Sequence, residues 1–173
     1  MEIRRLESDD REMLARFLER VPEGDRTFFK EDVDDRDVVE AWLRPGPARA
    51  IAVEDGQVVG SLAVVPLHGW SSHVGEVRLI VDPARRGRGI GRALARRAVV
   101  EALELGLEKM VVEVIARQEP TIAMFRSLGF DPEALLTNHV RDQAGNLQDL
   151  LLLSHSVQEQ WSSMIRAGIA DEV

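Results

Sequence analysis

The stretch Val81-Asp82-Pro83-Ala84-Arg85-Arg86-Gly87-Arg88-Gly89-Ile90-Gly91-Arg92-Ala93-Leu94 joins an apolar run to a helical repeat through a turn of glycine and arginine. Upstream, Val77, Leu79, Ile80 and Val81 read as a strand that Asp82-Pro83 ends. Downstream, Leu94, Ala98, Ala102 and Leu105 recur at helical spacing, so the period changes inside the glycines. A helix starting there leaves its first backbone N–H groups unpaired and its dipole positive at the turn. Glycine lets a phosphate approach the main chain with no Cβ in the way. The turn is built to cradle an anion such as a pyrophosphate, although taken alone it also reads as a surface turn with an arginine-rich helix start.

Three phosphate-binding patterns compete for this turn, and spacing separates them. A Walker loop needs Lys-Ser/Thr after its last glycine, whereas Gly91 is followed by Arg92-Ala93. A dinucleotide fingerprint needs glycine at 92 if it begins at Gly87, or glycine or alanine at 94 if it begins at Gly89; Arg92 and Leu94 exclude both. What remains, Arg86-x-x-Gly89-x-Gly91, resembles the acetyl-CoA signature of the Gcn5-related N-acetyltransferases (GNAT). The run Ile122-Ala123-Met124-Phe125-Arg126-Ser127-Leu128-Gly129-Phe130 lies between Pro120, suited to the start of a helix, and Gly129, suited to its end. It resembles the same family's second landmark, a helix ending in a Tyr-x-x-Leu-Gly-Phe type sequence. Phe125 stands where that family often carries tyrosine, Thr121 where it often has alanine and Gln118 where it often has asparagine. The chain contains no tyrosine at all.

At 173 residues the chain suits one core burying roughly 70 % of its unfolded surface and is short for two domains. The absence of cysteine removes disulfides, thiolate zinc sites and a covalent cysteinyl intermediate, and is what the cytoplasm permits. No apolar signal core opens the sequence, and no stretch approaches the roughly 20 apolar residues of a membrane span, so the expectation is a soluble cytoplasmic protein with no membrane partner. A net charge of -8 argues against nucleic acid as a partner. Positive charge is nonetheless localised in Arg85, Arg86, Arg88, Arg92, Arg96 and Arg97. These oppose the helix dipole unless an anion is supplied. Arg86, Arg88 and Arg92 are read as contacts to coenzyme phosphates, Arg96 and Arg97 as a solvated helix face.

The coarse order of elements begins with a strand from Glu2 to Leu6 and a helix capped by Ser8 that carries Met13, Leu14, Phe17 and Leu18. A second helix holds Val38, Val39, Trp42 and Leu43. Strands over 49–54 and 58–67 flank the hairpin signal Asp55-Gly56. A strand over 73–82, the arginine-bearing helix, a strand over 110–115, the Pro120 helix and a final hairpin over 130–140 and 147–154 complete it. The fold class is α/β, of the mixed α+β kind. The order resembles the GNAT fold over residues 1–155, a central mixed sheet flanked by helices. Residues 156–173 form an added C-terminal amphipathic helix with the apolar stripe Val157, Trp161, Met164, Ile165 and Ile169. That stripe needs a surface to cover, either its own domain or a second copy of the chain in a homodimer.

Glu76 and Arg78 interrupt the fourth strand with the same parity as Ile80. Their two readings are an ion pair on a partly wet face and a general base with its neighbour. The GNAT resemblance implies Glu76 as the base that takes a proton from an acceptor ammonium. It implies main-chain N–H groups around Leu79, Ile80 and Val81 for the thioester and pantetheine. The turn Arg86, Gly87, Arg88, Gly89, Ile90, Gly91 and Arg92 would hold the pyrophosphate, with Gln118 and Phe125 beside the coenzyme. A strand bulge common in the family would change the face on which Glu76 lies. His73 is a distant rival base, with His68, His139 and His155 behind it. Phe28, Phe29 and Trp42 border the acceptor side or pack as core, and the acidic run Glu31, Asp32, Asp34, Asp35 and Asp37 reads as solvated loop, with attraction of a cationic acceptor as the alternative. The implied activity is acetyl-CoA-dependent acetylation of a primary amine in a small molecule, peptide or protein, with no metal. The alternative is a catalytically silent acyl-CoA sensor.

Overall fold

The computed structural model describes residues 1–26, 29–44, 48–142 and 144–157. Along them run β1 (Glu2–Arg5), α1 (Arg11–Arg20), α2 (Glu23–Arg26), α3 (Arg36–Trp42), β2 (Ala48–Glu54), β3 (Gln57–Pro66) and β4 (Val74–Val81). Then come α4 (Ile90–Glu104), β5 (Lys109–Ile115), α5 (Glu119–Ser127), β6 (Asp131–Arg141) and β7 (Leu147–Ser156). This is the expected order with one short addition, α2. Of the tail helix expected over 156–173, Ser156 instead ends β7, and everything from 158 onward lies outside the described residues, as does Phe28. No helix among the described residues is long and apolar enough to cross a membrane.

The seven strands form one sheet in the order β1-β2-β3-β4-β5-β7-β6. Asp55 and Gly56 make the β2–β3 turn with φ of 53° and 70°, both left-handed, as a two-residue hairpin that follows the strand twist requires. Neighbouring strands are antiparallel except β4 and β5, which are parallel and joined by α4 as the crossover. That parallel pair holds together only from Val74↔Lys109 to Val77↔Val112. Beyond it β4 stays in unbroken register with β3 from Pro66↔Gly75 to Gly60↔Val81, and β5 stays with β7 to Ile115↔Leu150. The sheet therefore forks at its middle. Because the β3–β4 register has no shift, no bulge moves Glu76 from the face that its parity with Ile80 assigns.

Each face of the sheet has its own core. Leu94, Ala95, Ala98, Val99 and Ala102 of α4 and Phe125 of α5 pack with Leu62, Val64, Val77, Val112 and Val114 on one side. Leu14, Phe17 and Leu18 of α1, with Phe29 and Trp42, pack with Ile51, Val58 and Ile80 on the other. Leu14 and Phe17 are completely buried, each contributing about 1.5–3 kcal/mol of transfer free energy. Leu105 does not join the α4 stripe: it caps the helix and is exposed.

Two charged details depart from the expected pattern. Ser8 does not cap α1. Instead Ser8–Asp10 form a 3-10 turn in which buried Asp10 accepts from the Glu7 N–H at 2.9 Å and from both Arg4 NH groups at 2.6 Å. Arg97 is not solvated. It donates to Glu101, a fully buried carboxylate in the last turn of α4, with Arg5 of β1 donating to the same group at 2.7 Å. Burial pushes the Glu101 carboxyl up, but the two guanidinium groups outweigh this and hold it below the usual range.

Candidate functional site

The fork between β4 and β5 opens a cleft of about 730 Å³, within the range of small-molecule sites. Lys30, Glu76 and Glu113 line one end, Leu79, Ile80 and Val81 one wall, Gln118 and Phe125 the side toward α5, and the glycine turn the other end. Glu76 and Val81 are separated by five residues of strand, about 17 Å at an extended rise. Of the positions singled out in the sequence, Glu76, Leu79, Ile80, Val81, Arg86, Gly87, Gly89, Ile90, Gly91, Arg92, Gln118 and Phe125 all lie on this cleft. Arg88 does not. It makes a fork on Glu54 at 3.0 and 3.0 Å, and Arg85 donates to the same carboxylate at 2.7 Å, so these arginines tie the turn to the β2–β3 hairpin.

The turn carries its glycines for two different reasons. Gly87 and Gly89 have φ of 77° and 85°, which other residues adopt only with strain, and a Cβ built on either meets nothing within 4 Å. Gly91 sits inside the first turn of α4, where a Cβ would lie 3.3 Å from the Met124 sulfur and 3.6 Å from Val81 Cγ2. The first intrahelical bond is Ala93 N–H to Gly89 O at 3.0 Å, so the N–H groups of Ile90, Gly91 and Arg92 precede the ladder. No acidic residue stands in that first turn to complement the dipole. Arg86 crosses the end of the cleft to Asp25 of α2 at 2.6 Å, and Arg92 donates to Ser127 Oγ at 2.9 Å.

At the opposite end, charged side chains form a connected ladder on the α1 face. Arg49 donates to Glu31 at 3.0 Å, Arg78 to Glu31 at 2.7 Å and to Glu76 at 3.0 Å, and Lys30 Nζ contacts both Glu76 and Glu113. Trp42 donates its indole N–H to Glu31 and lies under the Arg49 guanidinium, 4.1 Å from the ring centroid. Phe29 packs on the same indole at 5.6 Å, a core role. Glu31 is thus the anchor of two arginines rather than part of a solvated loop. Glu76 is buried, with 8 % of its surface accessible; burial pushes its carboxyl up, while Arg78 and Lys30 outweigh burial and hold it below the usual carboxylate range. The ion-pair reading of Glu76 and Arg78 is therefore realised in this structure. It leaves Glu76 an anion that faces the cleft.

Sequence reasoning passed over Lys30, Arg49 and Glu113. A usable signal existed for the first: it is one of two lysines beside 20 arginines. No histidine lines the cleft. His155 lies within β7, its ring 5.3 Å from Phe130 and its Nδ1 against the Gly129 carbonyl, a packing role. Phe125 is buried edge-on against Phe130 at 5.1 Å, with no hydroxyl to offer the cleft. Among the described residues no cluster of three or more acidic, histidine or cysteine side chains is placed to hold a metal ion.

Residues 8–130 match the family model described as the acetyltransferase (GNAT) family. An uncharacterized N-acetyltransferase of Escherichia coli K12, YjgM, is 29 % identical over 157 residues, which is 86 % of this chain and 94 % of that protein. Among solved structures, the ribosomal-protein-alanine N-acetyltransferase of Brucella melitensis superposes with a TM-score of 0.75 at 26 % identity, covering 90 % of this chain and 99 % of that one. The putative acetyltransferase yncA of Salmonella typhimurium, solved with acetyl-CoA, superposes with a TM-score of 0.73 at 25 % identity, covering 90 % and 93 %.

Proposed function

This chain belongs to the GNAT family of acetyltransferases, and from that premise we propose that it moves an acetyl group from acetyl-CoA directly to a primary amine of a small molecule, peptide or protein. The observation that carries the reading is one continuous cleft with the glycine turn, suited to phosphate, at one end and an anionic carboxylate at the other. The coenzyme suits what the turn offers. Gly87 and Gly89 present open backbone, the N–H groups of Ile90, Gly91 and Arg92 lack intrahelical acceptors, and Arg86 and Arg92 stand at the rim. Arg86 would exchange Asp25 for the diphosphate. The β4 main chain around Leu79, Ile80 and Val81, on the side where pairing with β5 has stopped, would align the acyl arm and polarise the thioester carbonyl, with Gln118 and buried Phe125 excluding water beside it.

Glu76 then performs the proton chemistry. An alkylammonium with pKa near 10.4 is only about one part in 2,500 neutral at pH 7, so delivery of the free amine is what the protein must supply. A carboxylate held ionised by Arg78 first attracts the acceptor cation and then takes its proton, directly or through water. The remote grip of the turn on the coenzyme positions the acyl carbon for the neutral amine. The test is a panel of amines with acetyl-CoA, followed by free-thiol release and by mass of the acetylated product. Turnover with an amine supports the reading; calorimetric binding of acetyl-CoA with no turnover on any amine, the protein's own included, contradicts it.

A further inference from the structure

The end of the cleft where an acceptor amine belongs already contains an amine, and it is the protein's own. Lys30 Nζ touches Glu76 and Glu113 together. Glu76 lies opposite Val111 in the last paired stretch of β4 and β5, and Glu113 follows Val111 by two residues, so the two carboxylates share a face at the base of the fork. Lys30 reaches over that face from the segment between α2 and α3, with a backbone φ of 58°, a conformation that residues other than glycine adopt at a cost and that is concentrated at functional sites. Its side chain is one-third exposed, so the stem is free to turn toward the cleft it lines.

The surrounding charges make Lys30 distinct among its neighbours. Glu31, Glu76 and Glu113 are matched by Lys30, Arg49 and Arg78. The two guanidinium groups stay protonated and offer no lone pair, whereas an ammonium that gives up one proton is a nucleophile. Composition sharpens the contrast, because a chain with 20 arginines carries only Lys30 and Lys109 as lysines. Lys109 pairs with Glu133 at the far end of β5 and does not line the cleft. Lys30 is the one cation of this ladder that can be acylated, and its ammonium lies against Glu76.

Resting on the acetyl-CoA reading above, we propose that Lys30 is itself an acyl acceptor and that the protein acetylates its own Nζ. Glu76, or a water bound to it, takes one proton from the Lys30 ammonium. The neutral nitrogen forms an N–C bond to the thioester carbonyl, and the C–S bond breaks with its electron pair leaving on the coenzyme sulfur. The second nitrogen proton passes through water to that thiolate, so the products are N-acetyl-lysine and the free thiol of coenzyme A. Acetylation removes the cation shared by Glu76 and Glu113. It turns a balanced cluster into one with a net negative charge facing the cleft, which a cationic acceptor can fill.

The experiment is intact-protein mass spectrometry of the full chain incubated with acetyl-CoA, with peptide mapping and with coenzyme binding followed in parallel by calorimetry. The expected result is a gain of one acetyl group at Lys30 at a rate independent of protein concentration. It should be absent in Lys30→Arg, at least a hundredfold slower in Glu76→Gln and unchanged in Lys109→Arg. Equal labelling of Lys30 and Lys109, unaffected by Glu76→Gln, means chemical acylation and overturns the proposal. Coenzyme binding and turnover of added amines with Lys30 unmodified overturn it while leaving the acetyltransferase reading standing. No coenzyme binding defeats both.

Discussion

Replacing Glu76 by glutamine removes one charge and almost no volume, and the ladder around it shows what survives. Arg78 keeps Glu31 at 2.7 Å and Lys30 keeps Glu113, so neither cation is left alone and the fold should persist. The amide no longer accepts a proton and turns an N–H₂ toward one of two cations. Loss of a positioned base is worth about 10²- to 10⁴-fold in rate, or about 2.7 to 5.4 kcal/mol of barrier. Coenzyme affinity should not change, because the cradle is about 17 Å of strand away. The pH dependence adds a second signature. Since Arg78 and Lys30 hold the Glu76 carboxyl below the usual range, the wild-type base stays ionised as pH falls through the ordinary carboxylate region, and protonates only below it. The variant depends on amine that is neutral before it binds, a fraction that rises about tenfold per pH unit below the acceptor pKa. The deficit should therefore shrink steadily toward alkaline pH. Steady-state rates at saturating acceptor, with circular dichroism to establish folding, measure both effects; a folded Glu76→Gln protein with the wild-type rate at neutral pH would refute the assignment.

Other perturbations test separate parts of the structure. Gly91→Val places a branched side chain against the Met124 sulfur and Val81, and should weaken coenzyme A binding by about tenfold or more in a calorimetric titration; unchanged affinity in a folded variant removes the cradle from consideration. Gly89→Val keeps open space but forces a β-branched residue to φ of 85°, a strain of roughly 1–2 kcal/mol that should appear in urea unfolding as well as in binding. Phe125→Tyr installs a hydroxyl beside the cleft and should alter single-turnover rates by less than about tenfold, because a thiolate of pKa near 8.5 leaves without a dedicated acid; a hundredfold acceleration lost as the phenol ionises would show that an acid is needed. Glu101→Ala leaves Arg97 and Arg5 facing a buried void and should cost about 3–5 kcal/mol in urea unfolding at neutral pH. The Glu101 carboxyl is lowered in the folded state, so its contribution is present in full above the unfolded value of 4.5 and is lost as pH falls through the folded one, and the gap between wild type and variant should close in acid.

What could be read along the chain was local. The change of period at Gly87 to Gly91, the left-handed Asp55-Gly56 turn, the helix bracketed by Pro120 and Gly129, and the shared parity of Glu76 and Ile80 each depend on residues within a few positions of one another. Backbone sterics and side-chain alternation act over that range, which is why element order and most of the cleft-lining positions singled out were legible. Only the tertiary structure decided which charges meet. Lys30 and Glu113 are 83 positions apart, Arg5 and Glu101 are 96, and Arg88 reaches Glu54 over 34, so no spacing rule connects them. The fork itself arises because β4 keeps its register with β3 and β5 with β7 after their own pairing stops, a competition between ladders that the apolar runs do not record. Local conformational preference wrote the glycine turn and the strands, while the cleft and the charged cluster around Glu76 came from chain return, which brings distant ions together and lets them balance.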